Sequence, residues 1–181
     1  MARVKPGYFS DFAAIEYQGK IAKNLMQRPE IKKQILGDPN TFYDFTVKED
    51  LRPDQVAYLY YDDPNLVWLV FLANNIVDPY YGWPLTQHQL EDFIISKYGT
   101  VDIAKAQILH YKHKTKGTII TKESKDLAST FQTSYSASDY SPVYAYDYEE
   151  ELNEAKRNIK LVDRRLANKA RTLLRDVMIG W

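Results

Sequence analysis

The sequence predicts an α+β protein, and three features of its 181 residues support this prediction. Within residues 42–85, an aromatic strand, two helices and an aromatic closing strand are predicted in that order. A capped third helix is predicted directly after this unit. Apolar residues then recur at helical spacing from residue 148 to residue 178, which predicts a long C-terminal helix. With 45% apolar residues, the chain is able to bury an ordinary core.

Residues 1–41 are predicted to be an N-terminal extension with a hairpin and a short helix. The hairpin has residues 15–17 and 20–22 as its strands and Gln18-Gly19 as its turn. The helix is predicted at 29–36, because Pro29 suits a first helical position and Gly37 suits a helix end.

The central βααβ unit begins with Phe42, Phe45 and Val47, an aromatic and β-branched run that predicts a strand. Asp54 follows Pro53 and can serve as the N-cap or the first-turn acid of the next helix.

The sequence Asp62-Asp63-Pro64-Asn65 is predicted to end that helix and to cap a second one. The second helix is apolar around most of its circumference, so we expect it to be buried, and Asn74-Asn75 is predicted to end it. The closing strand is predicted around residues 80–85. The predicted structural core of the module is Trp68, Leu69, Leu72, Asn74 and Trp83.

The third helix is predicted to begin with a capping box formed by Thr86 and Gln89 and to end at Gly99. With this helix, the central module spans residues 42–99. Residues 100–147 are predicted to hold a β extension, a basic hairpin that turns at Lys116-Gly117, and a Ser/Tyr-rich arm. The arm is either a flexible connector or a segment that orders against a partner. Its predicted contact residues are Tyr135, Tyr140 and Tyr144.

The C-terminal segment, 148–181, is predicted to be one long helix with an apolar stripe. Thirty helical residues would form a rod of about 45 Å, which is longer than a compact domain of this size is wide. We therefore expect part of the helix to contact another chain. Its predicted partner-binding residues are Leu152, Ile159, Val162, Leu166 and Leu173.

Composition and motifs argue against several function classes. The formal net charge is zero, so no overall field favours nucleic acid or an anionic membrane. Cysteine is absent, and the sequence contains no phosphate-binding loop or nucleophile elbow. His110 and His113 are three residues apart and would point to opposite faces of a strand. The sequence thus predicts no catalytic residue, no metal site and no cofactor, in a protein that is not an enzyme.

A family resemblance lies mainly in residues 52–85, RPDQVAYLYYDDPNLVWLVFLANNIVDPYYGWPL. This segment resembles the baseplate wedge protein 53 family of contractile-tailed phages. The order of secondary-structure elements predicted for residues 42–85 is similar to that of a LysM-like module. Residues 8–20 and 148–162 also resemble segments of that family.

The resemblance implies a structural subunit of the phage tail baseplate wedge that ties neighbouring wedge subunits together. Its implied partners are other wedge subunits and sheath-proximal inner baseplate proteins, with several copies in the baseplate ring. The implied location is the virion, after synthesis in the host cytoplasm, without nucleic acid or membrane as partners. The fold implied for the central unit is a LysM-like βααβ core.

The alternative function is a LysM module that binds peptidoglycan or other N-acetylglucosamine polymers. The sugar would lie between residues 48–52 and 76–80, where Asn75, Asp78 and Tyr80 offer polar and aromatic groups. A single copy without an export signal favours protein docking instead.

Overall fold

The structure is a computed structural model, and it describes residues 8–26, 29, 40–131 and 139–179. The strands are β1 (Ala14–Tyr17), β2 (Lys20–Lys23), β3 (Phe42–Thr46), β4 (Ile108–His113), β5 (Ile119–Ile120), β6 (Tyr140–Tyr144) and β7 (Asn158–Val162). The helices are α1 (Pro53–Tyr61), α2 (Val67–Ala73), α3 (Gln87–Tyr98), α4 (Val101–Ala106), α5 (Lys122–Phe131), α6 (Ala145–Ala155) and α7 (Ala167–Ile179). This content confirms an α+β protein.

The chain divides into two compact units. Unit 1 combines Met1–Pro84 with Lys156–Trp181, and unit 2 is Leu85–Ala155. In sequence, unit 2 is therefore an insertion between two parts of unit 1.

Unit 1 is built on a two-stranded antiparallel sheet. β3 pairs with β7, so that Phe42 lies opposite Val162 and Thr46 lies opposite Asn158. The helices α1 and α2 pack against this pair and bury a common core. Side chains that are almost completely buried there are Val47, Val56, Leu69, Val70 and Leu161.

The predicted boundaries of α1 and α2 are confirmed. Arg52 is the N-cap of α1, and its backbone N–H donates to the Gln55 side chain at 2.9 Å, while Asp54 lies in the first turn. Asp63 accepts from the backbone N–H of Asn65 at 3.1 Å and starts a 3-10 turn, Pro64–Leu66, that leads into α2. Short polar side chains at these positions satisfy backbone donors that a helix start leaves open.

Asn74 closes the outer edge of β7. Its Nδ2 donates to the backbone oxygens of Val70 and Lys160, both at 2.8 Å. Its Oδ1 accepts from the backbone N–H of Lys160 at 2.7 Å. One amide side chain thus occupies both backbone groups of Lys160, as a neighbouring strand would.

The C-terminal helix packs on unit 1. Asp163 caps a 3-10 turn, Arg164–Leu166, and α7 follows with Ala167 and Leu174 buried in the core. Arg171 of α7 forms a 2.7 Å ion pair with Asp63, whose side chain is only 4% exposed. The joint between α1 and α2 is therefore tied to α7 by a buried charge pair.

The closing strand predicted around residues 80–85 is wrong. Those residues form turns and bends, and the strand that closes the unit is β7, which lies beyond unit 2 in sequence. The Gly82 N–H donates to the Asp78 oxygen at 2.8 Å, which folds the segment back on itself. Pro79 and Pro84 also lack the N–H that a paired strand uses.

The single helix predicted from residue 148 to residue 178 is also wrong, because this segment contains the end of α6, then β7, and then α7. Within β7, Ile159 and Leu161 are buried, and Asn158 and Lys160 are exposed, which is a period of two. The apolar spacings of three and four residues, from which the helix was predicted, continue across this strand by coincidence. Pairing with β3 satisfies the β7 backbone in a way that the local pattern does not reveal.

Unit 2 contains α3 to α6 and a three-stranded sheet in the order β5-β4-β6. The predicted capping box of α3 is confirmed, since Thr86 accepts from the Gln89 N–H and Gln89 accepts from the Thr86 N–H. The predicted helix end at Gly99 is confirmed as well.

Buried polar side chains connect the elements of unit 2. Asn153, which is 3% exposed, accepts from the backbone N–H of Leu85 at 2.7 Å and donates to its oxygen at 2.9 Å. Glu149 is buried as well, and its Oε1 lies 2.7 Å from Lys97 Nζ and 2.8 Å from the Tyr98 hydroxyl. These contacts fix α6 against α3 and the start of the unit.

Both predicted hairpins are confirmed, as β1–β2 and as β4–β5. The prediction of an unstructured arm is wrong for residues 140–144, which form β6 and pair with β4, and for 145–148, which begin α6. Tyr140 is buried in that sheet because it packs edge-on against His113. Residues 30–36 of the helix predicted at 29–36, and the contact residue Tyr135, fall outside the described residues.

Asn74→Ala should destabilise unit 1 by about 1–3 kcal/mol, because both backbone groups of Lys160 lose their partner. The exposed helical residue Asn168 supplies a control, Asn168→Ala, which should unfold within error of the wild type. Urea titration followed by circular dichroism measures both variants. Equal stability of Asn74→Ala and the control would contradict the role of the amide.

Arg171→Ala should lower the free energy of unfolding by about 3–5 kcal/mol, because the buried Asp63 carboxylate loses its ion pair with α7. Asp63→Asn added to Arg171→Ala should recover part of that loss, since the neutral amide needs no counter-charge. Thermal unfolding of the single and double variants measures the coupling between Arg171 and Asp63. If the effects of the two substitutions simply add, the two side chains are not coupled.

Candidate interaction surfaces

Unit 1 exposes several large apolar side chains on ordered elements. Tyr and Trp are common at protein interfaces, since they supply contact area at a low cost in side-chain entropy. Residues of this kind with more than half of their surface exposed in the segments 42–46, 53–61 and 76–83 are Tyr43, Tyr58, Leu59, Val77, Tyr80 and Tyr81.

Residues 76–83, here named the aromatic loop, present three of these side chains. Asp78 Oδ1 accepts from the backbone N–H groups of Tyr80 at 2.9 Å and Tyr81 at 3.4 Å. The rings of Tyr80 and Tyr81 are in edge contact with a centroid distance of 4.8 Å. Val77 is 70% exposed beside them. The loop thus combines an outward-facing aromatic pair with an internally bonded backbone.

Hydrogen bonds at Ile76 and Trp83 attach the two ends of the aromatic loop to the rest of unit 1. The Ile76 N–H donates to the Phe71 oxygen at 2.9 Å, and the Trp83 Nε1 donates to the Leu51 oxygen at 2.9 Å. The buried Trp83 ring also lies edge-on to Phe71 at 6.4 Å between centroids. These contacts place both ends of the loop against the core of unit 1.

Gly82 is required for the tight turn within the loop. A Cβ atom at this position would lie 2.6 Å from the Asp78 oxygen and 2.9 Å from Ile76 Cγ2. Real Cβ contacts of that length do not occur without a shift of the backbone, so the loop geometry depends on the absence of a side chain here.

The predicted core residues lie in unit 1. Trp68, Leu69 and Trp83 are buried, and Leu72 is half-buried. The Trp68 ring is stacked on Tyr8 with 5.6 Å between centroids. Asn74 is the amide that closes β7.

The predicted partner-binding residues of the C-terminal stripe are not brought together on one surface. Ile159 and Val162 are buried in the core of unit 1, and Leu166 is half-buried against it. Leu152 is 43% exposed on α6 of unit 2, and Leu173 is 53% exposed on α7 of unit 1. The continuous exposed stripe expected from a single helix is therefore absent from the described residues.

The residues that sequence analysis missed are Tyr43, Tyr58, Leu59 and Tyr81. The signal was available in α1, where apolar residues occupy all sides of a short helix and some of them must face outward. For Tyr81, the signal was the Asp-Pro sequence, which favours a turn over a strand.

Several titratable groups are committed to the fold. Burial raises the pKa of the Tyr61 hydroxyl, which donates to the Val162 oxygen at 2.9 Å. The hydrogen bond from the Arg165 side chain lowers the pKa of Asp163 to about 2. In unit 2, His113 Nδ1 accepts from the backbone N–H groups of Thr115 and Lys116, so this ring organises the hairpin turn.

The groups proposed for a sugar site have structural partners of their own. Asp78 holds the aromatic loop, and the Asn75 backbone has a φ of 52° at the end of α2. Among the described residues, no group of three or more His, Asp or Glu side chains is placed to hold a metal ion. None of the helices in the described part of the chain has the length and apolar character needed to span a membrane.

Unit 1 thus combines a buried apolar core with exposed aromatic side chains. The sequence matches the family model for base plate wedge protein 53 over residues 8–154, so the chain belongs to that family. It is also 36% identical over 61 residues to the baseplate wedge protein gp53 of Enterobacteria phage T4. That alignment covers 34% of this chain and 30% of the T4 protein.

Family membership defines the general class of this protein. Membership places the chain among the phage base plate wedge proteins. The family is one of structural proteins and not of known enzymes.

Gly82→Ala should destabilise unit 1 by about 1–3 kcal/mol, because the added methyl group forces the Asp78 carbonyl or the Ile76 side chain to move. Urea unfolding measures the change. Amide exchange at Tyr80 and Tyr81 should also become faster if the turn opens. Wild-type stability together with wild-type exchange would show that the loop accepts a Cβ atom.

Proposed function

We propose that this protein ties neighbouring wedge subunits together during assembly of a contractile-tail baseplate. The observation that carries the proposal is the family match, which extends over residues 8–154. The proposed partners are other wedge subunits and the sheath-proximal inner baseplate proteins, with several copies of this chain in the baseplate ring. Synthesis in the host cytoplasm followed by incorporation into the virion completes the proposal.

Unit 1 is proposed to be a LysM-like module with a displaced closing strand. Its order, β3, α1, α2 and β7, and its antiparallel strand pair agree with a βααβ core. Unit 2 is then an insertion between the second helix and the closing strand. In this proposal the module serves as a rigid docking block, because a shared fold does not imply a shared ligand.

The aromatic loop is the proposed principal contact. Tyr80 and Tyr81 are more than half exposed, and their backbone is already held by Asp78. A loop that is ordered before binding loses little conformational entropy when it is covered. Exposed Leu152 and Leu173 are proposed as additional contacts, one in each unit.

The proposal is tested with Tyr80→Ser combined with Tyr81→Ser. Both side chains are exposed, so the variant should fold normally and fail in assembly. Each aromatic contact residue at a protein interface can contribute about 1–2 kcal/mol, so incorporation into wedge complexes should weaken at least about tenfold. Co-sedimentation with the purified wedge proteins of the same phage measures incorporation, and circular dichroism confirms the fold.

Ile95→Ser combined with Ile103→Ser is the matched control, since both isoleucines are about half exposed in unit 2. The control should enter complexes like the wild type. If the wild-type chain itself does not enter wedge complexes, the proposed function is wrong. If the tyrosine variant enters as well as the control, the aromatic loop is not the contact.

Val162→Asp does not serve as an assembly test, although Val162 belongs to the predicted partner-binding stripe. Val162 is 5% exposed and packs in the core of unit 1. An unpaired charge there would destabilise the fold itself, and any loss of assembly would follow from unfolding.

A further inference from the structure

The hydrogen bonds between β3 and β7 determine which backbone groups of β3 point away from the sheet. The Val47 N–H donates to the Arg157 oxygen, and the Asp163 N–H donates to the Thr41 oxygen, both at 2.8 Å. In an antiparallel pair, bonded and non-bonded positions alternate along each strand. The positions of β3 whose N–H and C=O groups point outward are therefore Phe42, Asp44 and Thr46.

The two outer edges of this sheet differ. On β7, Asn74 occupies both backbone groups of Lys160, and the Tyr61 hydroxyl occupies the Val162 oxygen. On β3, the outward backbone groups make no hydrogen bond within the described part of the chain, and Asp44 and Thr46 are exposed. Side chains thus close the edge of β7, while the edge of β3 is open to an added strand.

The side chains along β3 indicate what kind of strand would fit. Tyr43 lies on the core side, is 56% exposed and stacks on Tyr60 with 5.7 Å between centroids. Asp44 is exposed on the opposite face, where its partner across the sheet is Lys160. An added strand would therefore place an apolar residue beside Tyr43 and a polar residue beside Asp44.

Charge argues against a second copy of the same chain at this edge. Antiparallel pairing of the whole of β3 with its copy places Asp44 directly opposite Asp44, and like charges in that position are destabilising. A basic residue opposite Asp44 would instead be favourable.

We propose that the open edge of β3 receives an extended segment of another baseplate subunit, in which a Lys or Arg opposite Asp44 is flanked by apolar residues. The added segment would bond to the backbone of Phe42, Asp44 and Thr46 and would cover the Tyr43–Tyr60 pair. This inference rests on the proposed wedge function and names the chemistry of one contact within it.

The test uses Thr46→Pro in the full chain, with Thr46→Val as its matched control. Both changes remove the Thr46 hydroxyl, which bonds to the Asn158 side chain, and proline alone removes the outward N–H. Proline is tolerated at an outward N–H of an edge strand, so the β3–β7 bonds remain. Incorporation of Thr46→Pro into complexes with purified wedge proteins should be at least about tenfold weaker than that of Thr46→Val.

Amide hydrogen exchange distinguishes strand addition from contact through side chains. In the free chain, the Tyr43 and Phe45 amides should be protected by β7, and those of Asp44 and Thr46 should exchange. In wild-type wedge complexes, Asp44 and Thr46 should become protected too. Asp44→Lys should weaken incorporation, whereas Asp102→Lys, at an exposed acid of α4, should not.

The outcomes separate the inference from the proposed function. If the wild-type chain is incorporated but Asp44 and Thr46 still exchange, the strand edge is not the contact, and the wedge function stands. If the wild type is not incorporated, both fail. Should Thr46→Pro misfold, exchange in the wild type and the Asp44→Lys comparison decide the question. Dimers of the isolated chain that Thr46→Pro abolishes would show a second copy at this edge and overturn the choice of partner.

Discussion

Unit 1 depends on the closure of a two-stranded sheet whose strands are far apart in sequence. A strand pair of this size has little stability alone and needs helices packed against it. Asn74, at the end of α2, supplies the decisive connection, because its side-chain amide bonds to the backbone N–H and oxygen of Lys160. Tyr61, at the end of α1, adds a bond to Val162. Both helices thereby fix β7 beside β3, and β7 in turn leads the chain into α7.

The same device occurs in unit 2, where Asn153 bonds to both backbone groups of Leu85. An amide side chain presents an N–H donor beside a C=O acceptor, as a peptide group does, so it can complete a backbone pairing without a further strand. Each unit therefore uses one asparagine to connect a distant segment to the core. Buried polar groups that are fully paired in this way favour one register over its alternatives.

This construction suits a protein that acts by contact. The core and its hydrogen bonds order the aromatic loop within the chain, so the proposed contact would lose little conformational entropy. The two edges of the unit 1 sheet differ: side chains bond to outward backbone groups of β7, whereas those of β3 make no hydrogen bond among the described residues. A covered edge prevents unwanted pairing, and an uncovered one is able to accept an added strand.

Local sequence chemistry was enough to predict several helix caps, both hairpins and the family. Caps and turns such as Asp63, Thr86 with Gln89, and Gly99 depend on neighbouring residues, so they were predictable from local chemistry. Tyr80 was singled out only for the alternative sugar site, and the exposure of Tyr43 and Tyr58 was not predicted. That residues 158–162 form a strand was visible only in the folded chain. Ile159 and Val162 fit the spacing of a helical stripe, whereas Ile159 and Leu161 fit the spacing of a strand. Pairing with β3, more than 100 positions away in sequence, selects the strand because it satisfies the backbone groups of both segments.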